Sequence, residues 1–299
     1  MAEVTLITGK GGVGKTTVAS ALALEYAAPG EPVLLVSTDP TGALAEVFGG
    51  VSDRQREVRP GLFAVELTRR VVLERWRERF GEEIYQVLRA LLPVERDILD
   101  YIEGVPGIEE EFMLTYLLEA ADSRRYSRII WDAAPTAGTL ALLRAQELFY
   151  AHLTQAQKLY LKMRGYLQGA DPSALIEGWL ELTRRILELL RGRTAAWVVA
   201  HPERLAVVQG LELIEQLAGF GIPTERAVLN RVLPADGCPD CRFYAGKLAR
   251  QEKWADHWRQ RSPARVTVLP ELAGEASSLE ALRRLAALLL EEGDGSKDA

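Results

Sequence analysis

Two lysines, one threonine hydroxyl and two strand-end aspartates are the side chains whose types and spacing could do chemistry together in this sequence. The stretch 9–17, GKGGVGKTT, fits the spacing G-x-x-x-x-G-K-[ST], with Gly9, Gly14, Lys15 and Thr16 at the fixed positions. Glycines let consecutive backbone N–H groups turn towards one anion, because no Cβ stands in the way. The expected nucleotide-binding set is therefore Gly9, Lys10, Gly11, Gly12, Val13, Gly14, Lys15, Thr16 and Thr17. Lys15 is placed to reach the β- and γ-phosphates of a nucleotide, and the Thr16 hydroxyl to ligate Mg²⁺. Asp39 follows the apolar run 32–37 (PVLLVS), and Asp132 follows 128–131 (RIIW). An acid where a buried strand meets the crevice is well placed, since ligands sit outside the carboxyl ends of parallel strands. Asp132 would support Mg²⁺ through a water. Asp39 either takes part in the reaction or caps a helix starting near Gly42.

These residues need a scaffold, and the flanking patterns supply one. The run 4–8 (VTLIT) predicts a strand before the loop, and 17–27 (TVASALALEYA) a helix after it, whose positive end adds to the field at the loop. Further strands are expected at 62–67, 195–200, 226–230 and 265–269. Helical spacing runs to about residue 122 through Val72, Trp76 and Phe80, then Tyr85, Leu88 and Leu92. It resumes from 145 to 190 through Phe149, Leu153, Ala156, Tyr160, Met163 and Leu167, breaks at 169–172, and continues through Leu175, Trp179, Ile186 and Leu190. Pro172 suits the start of that next helix. The expected fold is α/β: a doubly wound, mostly parallel sheet of the P-loop NTPase type with helices on both faces, in a single domain over 1–299. A helical subdomain is inserted at about 69–122 and 145–191, and a disordered tail is expected at 293–299.

Composition narrows the function. The chain has 299 residues and a net charge of −6, which gives no general attraction to nucleic acid. No apolar run approaches the roughly 20 residues of a membrane helix. The first strand begins almost at once, so a signal peptide is not expected and a cytoplasmic location is. The only cysteines, Cys238 and Cys241, form a CxxC. Two thiolates leave a tetrahedral zinc site half complete, and a two-fold dimer would supply the other two. Arsenite prefers about three thiolates, more than one chain offers. His201 and His257 read as surface or capping residues, and the charged helix 242–261, with Trp254 and Trp258 on one side, as packed on the body of the protein.

The nonapeptide resembles the deviant Walker A loop of the ATPases that include partitioning proteins of the ParA and MinD type, nitrogenase iron protein and the arsenite-pump ATPases. STDPTGALAEVFG (37–49) is similar to switch I, and DAAPTAGTL (132–140) to switch II, of the branch containing the arsenite-pump ATPase and the factors that target tail-anchored membrane proteins. VPGIEEE (105–111) adds a weaker match. Two histidines of the family's switches are absent: Thr41-Gly42-Ala43 stands in one place and Gly138 in the other. The resemblance runs from Gly9 to about Leu272. It implies ATP hydrolysis, with Asp39 positioning the attacking water and Asp132 supporting Mg²⁺. It also implies that Lys10, otherwise a solvated cation, reaches the nucleotide of a partner in a homodimer. Asn230, otherwise a turn residue, would pair with adenine, flanked by Pro270 and Glu271. The CxxC would bind Zn²⁺ between subunits. Three functions follow from it. The first is a nucleotide-switched carrier of hydrophobic membrane-protein helices. The second is an ATPase driving arsenite or anion efflux through a membrane pump. The third is a partitioning ATPase, which the acidic polar tail disfavours. For the helical subdomain, packing on the sheet and a groove for a client helix both stand as readings.

Overall fold

The structure is a computed structural model that describes residues 2–28, 30–39, 41–91, 95–103, 108–163, 173–238 and 240–290. Pro40, Leu92, 105–107, Leu167, the break at 169–172, Pro172 and the tail 293–299 lie outside the described residues.

The chain opens with β1 (Glu3–Gly9), α1 (Lys15–Ala27), β2 (Val33–Ser37) and α2 (Ala43–Phe48). The strands β3 (Arg56–Arg59) and β4 (Leu62–Glu66) precede α3 (Arg69–Trp76), which runs through a wide turn at Arg77–Gly81 into α4 (Glu82–Leu91). Then come α5 (Ile98–Glu103), α6 (Ile108–Asp122), β5 (Arg128–Asp132), α7 (Thr136–Met163) and α8 (Ser173–Gly192). The last third holds β6 (Thr194–Ala200), α9 (Arg204–Gly219), β7 (Thr224–Val232), α10 (Arg242–Arg261), β8 (Arg265–Pro270) and α11 (Leu279–Leu290).

The eight strands among the described residues join one sheet in the order β3-β4-β2-β5-β1-β6-β7-β8. Every pair is parallel except β3 with β4. The central strands are continuous Val, Leu and Ile runs, and all five residues of β2 are buried. Such runs have no polar side to turn to water, so both faces of the sheet must be covered. Helix α1 packs on β1, β2 and β5 and against α11, while α9 packs on β6 and α10. The phosphate-loop strand therefore lies in the middle of the sheet, between β5 and β6.

The helices between β4 and β5 and those between β5 and β6 pack on each other, α6 against both α7 and α8. Their contact is aromatic. Phe80 meets Phe112 and Trp179 edge-on at 5.3 and 5.4 Å, and Phe149 reaches Trp179 at 5.3 Å. Val72 and Trp76 are buried, as their spacing requires, and so are Trp179, Ile186 and Leu190. The stripe expected on the 145–167 stretch packs only in part: Phe149 and Leu153 lie on the core, whereas Ala156 is exposed. Helix α7 starts at Thr136 rather than near 145, so one helix of 28 residues covers the switch II segment and the first arm of the helical layer. In α10, Trp258 is fully buried against α9; a Cβ on Gly210 would come within 2.6 Å of its ring.

Candidate active site

The loop after β1 is shaped by close approaches. Gly9 has φ +150°, and a Cβ there would stand 2.2 Å from the Val199 carbonyl oxygen of β6. Gly14 is left-handed at φ +89°, and its missing Cβ leaves room for Asn230, whose Nδ2 would otherwise lie 2.3 Å away. Asn230 is buried at the carboxyl end of β7, and its amide donates to the Val13 carbonyl at 2.8 Å. Its Oδ1 accepts the Arg231 N–H at 3.0 Å. Here Asn230 works as a brace beneath the loop. Lys15 is only 5% exposed, with Nζ 3.5 Å from the Lys10 carbonyl and 3.9 Å from Asp39 Oδ2. Burial lowers its pKa, while the Asp132 and Asp39 carboxylates favour the ammonium.

Two adjacent parallel strands place side-chain oxygens in one row, and α1 adds a third. The register sets Ser37 of β2 beside Asp132 of β5, and Asp132 beside Ile7 of β1. The Thr16 hydroxyl donates to Asp132 Oδ2 at 2.8 Å and the Ser37 hydroxyl to the same oxygen at 3.3 Å. Asp132 Oδ1 is buried and has no hydrogen-bond partner among the described residues. Burial pushes the Asp132 carboxyl up to about 6, against the Thr16 hydroxyl and the Lys15 ammonium. A hydroxyl, a carboxylate and an orphaned carboxylate oxygen beside a phosphate cradle are hard donors, and they fit a small hard cation such as Mg²⁺.

Asp39 stands next to this row, pinned from both sides. Its N–H donates to Ser37 Oγ at 3.2 Å, and its Oδ1 accepts the Thr41 N–H at 3.1 Å. Thr38 is held by the indole N–H of Trp131 at 3.0 Å. On the switch II side, the Thr8 and Thr139 hydroxyls meet at 3.2 Å, and Thr139 donates to the Ala134 carbonyl at 2.7 Å. The start of α7 is thereby tied to the end of β1. Lys10 lines a separate cleft of about 470 Å³ with Pro135, Thr136 and Arg144, between the loop and α7.

Beyond Asn230, a larger cavity of about 640 Å³ opens past β6, β7 and β8, lined by His201, Arg231, Gln251, Trp254 and Glu271 among others. Pro270 ends β8, and the Glu271 N–H donates to the Val232 carbonyl at 2.9 Å. His201 is half-buried; burial and the Arg231 charge lower its pKa, favouring the neutral ring. Cys238 is exposed and Cys241 half-buried, both as free thiols, and the Cys241 N–H closes a turn on the Cys238 carbonyl at 3.3 Å. Among the described residues no three His, Cys, Asp or Glu side chains gather as a metal site, so the two thiols stand as a pair.

The profile of the anion-transporting ATPase family matches residues 2–291. The chain belongs to that family. Among its relatives, the ATPase GET3C of Arabidopsis thaliana is 27% identical over 282 residues, covering 83% of this chain and 71% of the relative. The ATPase ASNA1 homolog of Dictyostelium discoideum is 26% identical, covering 97% and 90%. A putative arsenical pump-driving ATPase 2 of Aquifex aeolicus is 28% identical, covering 82% and 85%. This member of the anion-transporting ATPase family is an ATP hydrolase with the P-loop α/β fold. No helix among its described residues is long and apolar enough to cross a membrane.

Of the residues singled out in the sequence of this ATPase, Lys15, Thr16, Asp39 and Asp132 converge, and Asn230 braces the loop beneath them. The cysteines and the Pro270–Glu271 turn lie in other loops. Ser37, Thr38, Trp131 and Thr139 join the site without having been expected there. Their signal was faint: Ser37, Thr38 and Thr139 lie inside the switch segments and Trp131 just before Asp132, and only the strand order shows what each faces.

Proposed function

We propose that this ATPase is a Mg²⁺-dependent nucleotide switch acting as a homodimer, and that it handles hydrophobic helices of membrane proteins in the cytoplasm. One observation carries the catalytic part: Lys15, Thr16, Asp39 and Asp132 arrive together from α1, β2 and β5 at the carboxyl ends of adjacent parallel strands. The loop amides and Lys15 bind the phosphates. Thr16, and Asp132 through a water, would hold Mg²⁺, which would supply charge neutralisation at the phosphates. Asp39 orients the attacking water, so the chemistry is chiefly positioning and electrostatic stabilisation. The 640 Å³ cavity beside Asn230, Pro270 and Glu271 takes the base and ribose.

Lys10 stands apart from Lys15 in its own cleft, as expected of a lysine that serves the nucleotide of a second copy. Cys238, exposed, and Cys241, half-buried, form a pair of soft ligands that two chains would complete as one zinc site. The helical layer at about 69–122 and 145–191 is proposed as the client-facing subdomain, supported by Tyr101, Leu148 and Tyr150, which stand exposed on it.

Anion efflux is the second reading, favoured by the name of the Aquifex relative and opposed by the two-thiol count. ATPase assays with and without arsenite, beside capture of a synthetic transmembrane segment, separate the two. The carrier reading expects capture and less than about twofold stimulation. Strong stimulation lost in Cys238→Ser would overturn it in favour of efflux.

A further inference from the structure

Glu66 is a buried carboxylate with no place in the machinery described so far. It ends β4, and the register sets it beside Ser37, which in turn stands beside Asp132. In parallel strands, residues at one register level point to the same face of the sheet. Glu66 is therefore the outer member of the row that holds the metal-site carboxylate. The backbone around it is closely tied to switch I: the Leu67 N–H donates to the Ser37 carbonyl at 2.9 Å.

Its side chain reaches the start of α2, within switch I. Glu66 Oε1 accepts the Leu44 N–H at 2.8 Å and the Ala45 N–H at 3.3 Å. The Leu44 N–H is an orphan donor at the start of α2, and the Ala45 N–H is shared with the Gly42 carbonyl at 3.2 Å. The helix has six residues, far too few to hold itself together, and Gly42 at its N-cap offers no side-chain acceptor. Gly42 is also left-handed, at φ +73°, so the chain makes a sharp corner between Thr41 and α2. A carboxylate fits both these N–H groups and the positive end of the helix.

The segment from Ser37 to Ala45 is thus fastened at two points. Ser37 Oγ takes the Asp39 N–H at its start, and Glu66 takes the α2 N–H groups at its end. Asp39 lies between them, and its only side-chain partners among the described residues are the Thr41 N–H and Lys15. We propose that Glu66 is a positioning residue for ATP hydrolysis: by capping α2 from outside switch I, it fixes where Asp39 can stand relative to the γ-phosphate. It touches neither nucleotide nor water, and its effect on turnover passes through switch I. The proposal rests on the reading of Asp39 as the water-orienting group.

The test compares Glu66→Ala and Glu66→Gln in the full chain, alone and combined with Asp39→Ala. A glutamine keeps an Oε1 acceptor in the same place; an alanine does not. Amide hydrogen exchange of 41–48 reads the anchor directly. Glu66→Ala should speed it at least tenfold, and Glu66→Gln should leave it within about threefold of the parent. Steady-state phosphate release reads the consequence. Glu66→Ala should lower kcat tenfold or more with KM for ATP within twofold, Glu66→Gln should recover most of it, and Glu66→Ala should add nothing to Asp39→Ala. Unchanged exchange in Glu66→Ala overturns the anchor. Fast exchange with normal kcat overturns the positioning role, as does a loss of kcat and affinity together that glutamine fails to restore. Asp39→Ala alone tells the two readings apart: normal turnover there refutes the role of Asp39, while the exchange result still judges Glu66.

Discussion

Replacing Glu111 with glutamine should flatten the pH dependence of this protein's stability. Glu111 lies in α6 with no exposed surface, surrounded by α7 and α8. The Thr183 hydroxyl is 2.9 Å from both Glu111 Oε1 and the Trp179 carbonyl. It has a single proton to give, so only a protonated Glu111 lets both contacts be hydrogen bonds: the acid donates to Thr183, and Thr183 donates to Trp179. Glu111 Oε2 has no hydrogen-bond partner among the described residues, and neither has either end of the nearby Gln146 amide. Burial accordingly pushes the Glu111 carboxyl from 4.5 up to about 7. The folded chain holds this proton more tightly than the unfolded chain. The associated stability is complete below about pH 4.5 and is lost as the pH rises through about 7. At about 1.4 kcal/mol per pH unit, the loss across that window is roughly 3 kcal/mol. For a chain of this size, that is roughly 6 °C in melting temperature. Glutamine cannot ionise, and its Nε2 can donate to Thr183 in place of the acid proton. Thermal melts from pH 5 to 8 should therefore show Glu111→Gln close to the parent at pH 5 and several degrees above it at pH 8. Parallel curves for the two proteins would refute the argument that this carboxyl is held protonated by its surroundings.

Asp39→Ala should lower ATP turnover about a hundredfold or more while fluorescent-nucleotide binding changes less than about threefold; normal turnover would assign the water to another group. Lys15→Ala should abolish hydrolysis, and retained activity would show that the loop amides alone suffice. Asn230→Ala removes the brace under Val13 and should weaken nucleotide affinity about tenfold, the worth of one buried hydrogen bond; unchanged affinity in an equilibrium titration would leave the brace without consequence. Cys238→Ser should remove a metal content near one zinc per two chains and convert the dimer to monomer by light scattering. A metal-free parent dimer would rule the zinc out.

The parallel strands were legible because a buried strand has no polar face, and runs such as VLLVS can be little else. Strand β3 was not: four residues, REVR, three of them charged, carry no apolar run, and the strand exists because β4 offers it an edge. The phosphate loop, Asp39 and Asp132 were readable because spacing and strand ends locate them without knowledge of the topology. Ser37 and Glu66 were not, because their meaning depends on β2 lying between β4 and β5, a neighbour relation that local pattern does not encode. Asn230 was noticed for the base it could meet. Its contact with Val13 joins residues 217 positions apart, which only the fold reveals. The start of α7 at Thr136 was not legible from the apolar stripe, which begins at Phe149, and the bonds of Thr139 to Thr8 and Ala134 hold that helix start against β1.

Helix α7 gives the molecule a lever. At 1.5 Å per residue its 28 residues span about 42 Å. Its short end is clamped to the strand that carries the phosphate loop, and its long end leaves the sheet among the other helices. A rigid rod turns angle into distance: a tilt of about 5° at Thr136 carries the far end roughly 4 Å, close to the width of a side chain. A change at the γ-phosphate too small to alter the sheet could in this way be read as a shift in the shape of the helical layer, with Thr8 and Thr139 as the fulcrum.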